Sequence, residues 1–246
     1  MTQVKTLSAP EMAEPDLTKL SQSERRAMLD AGLEVLECYR VMQKGGLNVV
    51  GEVLKDQGQF IELEHYPKDD VHDPDTHGQY YYHTHRETDE HGHFHLFVRS
   101  GAFPDGMTPL EYPLASAPWP KGDDTIAHIV ALSMDAWGYP IGLFTTNRWV
   151  TDETWHSAES VIQLIDRFTI DHAFPNWAVN RWLTAMVQLY RHHIIALLRH
   201  RDQCIKTWQQ RYPERDIFEM REFDITGTIE ISVDTLITRL QKLEKQ

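Results

Sequence analysis

The chain has 246 residues, 41% of them hydrophobic and 25% charged, with a formal net charge of -13. That length and apolar share fit one large domain with a substantial core, while an acidic balance with both signs mixed along the chain excludes a general nucleic-acid surface and disfavours anionic membranes. No apolar run approaches the roughly 18 residues that span a bilayer, and the polar start MTQVKTLSAPEMAEPD lacks a signal-peptide core, so a cytoplasmic protein without membrane insertion is expected.

Residues 1–16, with Pro10 and Pro15, read as a loosely held tail ahead of one α+β domain at 17–246, with helices over 21–56, a sheet over 59–150 and helices over 152–246. Ser21 and Glu24 have capping-box spacing, and Met28, Ala31, Val35, Leu36, Tyr39 and Met42 recur at helical intervals until Gly45-Gly46. A shorter helix follows at Leu47–Leu54. QFIELEHY alternates and predicts a first strand, with Ile61, Leu63 and His65 on one face. After a polar loop holding His72 and His77 come two strands at 79–86 and 92–100, then a Pro-rich connector and a second hairpin from TIAHIVALSMD and IGLFTTNRWV. The sheet therefore has about five antiparallel strands. From Thr151 the period turns helical, with Thr151 or Asp152 as the cap. One long helix runs from Pro175 to about Gln210, carrying the stripe Trp182, Met186, Leu189, His193, Leu197, His200, Cys204 and Trp208. Val233–Leu243 forms the last helix. Cys38 and Cys204 lack CxxC spacing and read as reduced packing residues.

The segment QYYYHTHRETDEHGHFHLFVRS packs five histidines into thirteen positions. In an antiparallel hairpin, opposite residues share a face. A turn centred on Asp89 sets His83 against His95 and His85 against His93, with Tyr82 against Leu96 and Thr84 against Phe94, so one face is apolar and the other is a histidine patch. Three imidazoles with an open position then suit a catalytic rather than a closed metal site. The candidate ligands are His83, His85, His93 and His95, with His65 and His128 able to complete the set; His128 shares its strand face with Val130 and Leu132.

Glu90 and Glu87 are the catalytic candidates, each a ligand, a partner orienting an imidazole, or a general base. Tyr81 shares the histidine face and can bind substrate, and Asn147 with Arg148 can orient an anionic group. Glu153 and His156 have the ExxH spacing of half a di-iron site, whose second copy is absent from the sequence. His193 and His200 read as core histidines.

His83, His85 and Glu90 resemble the opening of the cupin metal motif, although the chain lacks that motif's glycine spacing and second half. HTHRETDEHGHFHLFVR and LFTTNRWVTDETW together resemble the signatures of an uncharacterised bacterial domain-of-unknown-function family over roughly residues 60 to 165. That resemblance implies one domain there and carries no activity to transfer. The functional expectation is a metal-dependent enzyme, hydrolytic or oxygen-using, with one divalent ion (iron or zinc) and a small-molecule substrate. The alternatives are a non-catalytic carrier, sensor or accessory subunit, in which His77 and His91 first receive the ion, and a metal-free interaction module.

Overall fold

The structure, a computed structural model, describes residues 12–85 and 90–245. Helix α1 (Gln22–Lys44) starts at the expected capping box, and Asn48 caps the short α2 (Val49–Leu54). Among the described residues, six antiparallel strands then pair in sequential order: β1 (Tyr66–His72), β2 (Gly78–His83), β3 (Gly92–Arg99), β4 (Ile126–Met134), β5 (Pro140–Thr146) and β6 (Ile225–Glu230). Between β5 and β6 lie α3 (Arg148–Thr151), α4 (Ala158–Ile165), α5 (Trp177–Leu189) and α6 (Arg191–Arg211), and α7 (Val233–Leu243) follows β6. The fold is α+β, with one strand more than expected.

Two strands lie where none is expected: β1, in the stretch read as a polar loop, and β6, whose six residues ITGTIE fall in the stretch read as helical and pair with β5. Two other elements also differ. QFIELEHY is not a strand, because the segment folds around the Tyr66 hydroxyl, which accepts the Ile61 N–H at 2.8 Å and donates to the Gln59 carbonyl at 2.9 Å. Ile61 and Leu63 stay 46% and 67% exposed, so their alternation buries nothing. The long C-terminal helix breaks at Tyr190 into α5 and α6, where neither proline nor glycine marks the break. Neither Thr151 nor Asp152 is an N-cap: Asn147 starts α3, Ser157 starts α4, and Asp152 is the C-cap of α3 in the left-handed region at φ 52°.

The β2–β3 register pairs Tyr80 with Leu96, Tyr81 with His95, Tyr82 with Phe94 and His83 with His93. This is two residues away from the register expected. An even shift leaves every side chain on its face, so hydrophobic segregation holds in both registers and does not choose between them. Tyr80, Tyr82, Phe94 and Leu96 join one apolar core with residues of α1, α4, α5, α6 and α7. The opposite face carries Tyr81, His83, His93, His95 and Phe97, all buried. Among the described residues, no helix is long and apolar enough to cross a membrane.

Candidate metal centre

The directly opposed His83 and His93 approach until their Nε2 atoms are 2.7 Å apart. His85 lies two residues beyond His83, its ring 5.0 Å from that of His83 and 4.9 Å from that of His93. One ligand nitrogen from each of the three lies within 4.8 Å of the others, the spacing of a group that can hold a metal ion. His83 and His93 are buried and His85 is half-buried.

Burial, reinforced by His93, His85 and His65, pushes the His83 pKa down to about 2 and keeps the ring neutral, as a metal ligand must be. Its buried Nδ1 has no hydrogen-bond partner among the described residues. The His93 Nδ1 faces the buried Glu90 carboxylate at 2.5 Å, the contact that fixes Nδ1–H and leaves Nε2 with a lone pair towards His83. A carboxylate behind a ligating imidazole is the usual support of a metal-bound histidine. The neutral His83 ring, the short spacing and this support all fit an ion. Glu87 lies outside the described residues.

Around this trio the structure gathers more of the expected residues. His95 Nδ1 is 3.0 Å from His128 Nε2, and its own buried Nε2 has no partner among the described residues. His128 does not share the face of Val130 and Leu132. A β-bulge pairs Leu96 with Val130 but Phe97 with His128, leaving Ile129 as the extra residue and turning His128 onto the histidine face. Burial lowers the His128 pKa to about 3.

His65 reaches the group from a loop rather than from a strand. Between Tyr66 and Val71, β1 bulges opposite Tyr81, with Asp69 and Asp70 at φ 71° and 59°. This bend places Asp70 Oδ1 3.0 Å from His65 Nδ1, and Gln79 and Arg99 continue the chain of hydrogen bonds. The His65 ring stacks on Tyr81 at 3.6 Å and lies edge-on to His83 at 5.5 Å. Asp70 was not singled out in the sequence, because only the bulge makes it a neighbour of His65.

Other expected residues stand apart. Asn147 and Arg148 follow the end of β5 that pairs with Ile225, whereas His93 is aligned through Ser133 with Gly142 near the opposite end. The Asn147 amide donates to the Ile217 and Phe223 carbonyls. Arg148 is buried on Glu219 and the Glu153 carbonyl. Glu153 accepts the His128 backbone N–H at 2.8 Å, and burial lifts its pKa to about 7. His156 turns its Nδ1 to the Thr154 carbonyl and its ring to Phe103, so the ExxH pair does not converge. His193 packs edge-on to Tyr190 in the core, His72 and His77 face each other near the β1–β2 turn, and His91 is bonded to the Tyr82 hydroxyl.

No curated protein and no solved structure matches this chain. A family model described as a domain of unknown function, DUF6969, matches residues 29–231, from within α1 through all six strands, and the chain belongs to that family.

Proposed function

We propose that the chain is a cytoplasmic metal-dependent enzyme that binds one divalent ion through His83, His85 and His93 and acts on a small molecule at the open side of that ion. The observation that carries this reading is the close nitrogen trio with Glu90 behind His93. The trio contains no carboxylate, a donor set closer to three-histidine catalytic zinc than to the two-histidine, one-carboxylate arrangement of non-haem iron. Zinc is therefore preferred and iron is the second choice. Such an ion, when bound, lowers the pKa of its water to about 7 and polarises a carbonyl or phosphoryl oxygen, which favours hydrolysis. Glu90 acts as a positioning residue that holds the His93 tautomer. Tyr81, stacked on the His65 ring and edge-on to His83, is the substrate contact we favour. Two free cysteines agree with a reducing compartment.

The open position is the part of this reading that separates an enzyme from a closed carrier or structural site. Cobalt(II) substitution followed by titration with azide or thiocyanate tests it. A change in the visible ligand-field spectrum that saturates with the anion is expected. A tetrahedral cobalt spectrum that ignores both anions contradicts the enzyme reading while leaving metal binding intact.

A further inference from the structure

A second set of metal-type donors lies outside the hairpin, on α6, β6 and the segment before α1. On α6, His200 and Cys204 are one turn apart, and Cys204 Sγ is 3.3 Å from His200 Nε2. The thiol also reaches the Thr226 carbonyl of β6 at 3.2 Å. Met12 comes to the same place, its N–H bonded to the Thr228 carbonyl at 2.9 Å. Gly227 sits between them: a Cβ there would lie 2.9 Å from His200 Cδ2 and 3.2 Å from Met12 Sδ. The absent side chain leaves room for the His200 imidazole and the Met12 thioether over one strand position, next to the Thr226 carbonyl that the thiol reaches. Gly227 pairs with Thr145, next to the Phe144 that touches His93 and His95. Alternation along β5 therefore puts the Cys204 group on the other face of the sheet from the histidine trio.

We propose that Cys204, His200 and Met12 form a binding site for a soft monovalent cation of the copper(I) class. Thiolate and thioether donors select copper(I) over hard cations, and imidazole suits copper as well. One thiolate balances one positive charge, which matters for three half-buried groups. Burial raises the thiol pKa and lowers that of His200, so without an ion the pair is neutral and is not a thiolate–imidazolium nucleophile. On binding, Cys204 loses its proton to solvent, the sulfur–copper bond replaces the contact to Thr226, and no oxidation state changes.

The test is anaerobic titration of the reduced full-length protein with copper(I) against a chromophoric copper(I) chelator. Wild type should retain one tight equivalent and gain thiolate-to-copper absorption in the ultraviolet. The His83→Ala/His93→Ala protein should keep both. Cys204→Ser should lose both, and Met12→Leu, which removes the sulfur but keeps the volume, should weaken binding by about tenfold or more, or roughly 1.4 kcal/mol. Gly227→Ala should weaken it too by displacing His200. Should Cys204→Ser or Gly227→Ala fail to fold by circular dichroism, Met12→Leu decides. Copper(I) retained equally by Cys204→Ser or by Met12→Leu, or lost with His83 and His93, overturns the proposal.

Discussion

The two faces of the β2–β3 hairpin are equally dry, with Phe94 and His93 both at 0% exposure, yet they are built on different physics. On the helix side, Tyr80, Tyr82, Phe94 and Leu96 meet the apolar core, where attraction is non-directional and volume decides. On the other side His83, His93 and His95 meet one another, and each contact depends on which nitrogen carries a proton. Burial stabilises the first set and strains the second unless a partner supplies what water would have given. Equal burial therefore does not mean equal role. The buried side chain that remains directional marks the site.

The largest effect that separates the faces is a cavity on the helix side. Phe94→Ala should cost about 3–5 kcal/mol in denaturant melts, with metal per folded molecule unchanged. Metal lost from the folded fraction would mean that the two faces are not independent.

Glu90→Gln probes the opposite face. It should weaken metal binding about 10–100-fold in chelator competition and leave metal-free stability almost unaltered. Unchanged affinity would remove Glu90 from its place behind His93.

Acid provides the next contrast. His83, held near a pKa of about 2, and His128, near about 3, take up protons in the unfolded chain but not in the native one. Stability of the metal-free protein is therefore intact above the unfolded histidine value of about 6.5. Below it, stability falls by up to about 1.4 kcal/mol per pH unit for each group. A flat profile between neutral pH and pH about 4 would contradict the buried neutral rings.

Glu153 should show a smaller change of opposite sign. Its pKa is raised to about 7, so its contribution is present below the unfolded carboxylate value and is lost as pH rises through 7. Paired melts of Glu153→Gln and wild type should favour the variant more at pH about 8 than at pH about 5. A difference that does not vary with pH would mean that Glu153 is not held protonated.

The alternation of the hairpin was enough to assign its faces, because a period of two places Phe94 and Leu96 together and His83, His93 and His95 together in either register. It left the pairing open, since a shift of two residues changes partners without changing faces. The position of His128 was hidden for a related reason. The extra residue of its bulge, Ile129, is as apolar as Val130 beside it, and nothing in IAHIVAL marks where the alternation skips. His65 was suspected but for the wrong cause: it arrives through the left-handed turn at Asp69 and Asp70, not through a strand of QFIELEHY. β6 was missed because six residues containing a glycine between two helices carry little periodic signal.

Metal content of protein purified without an affinity tag tests the central claim most directly, by elemental analysis of wild type beside His83→Ala, His93→Ala, His72→Ala and His77→Ala. Wild type should carry about one divalent ion per chain. Most of it should be gone from His83→Ala and His93→Ala and kept by His72→Ala and His77→Ala. Wild-type protein that is fully stable and takes up no divalent ion, or equal loss in both pairs of variants, would contradict the account.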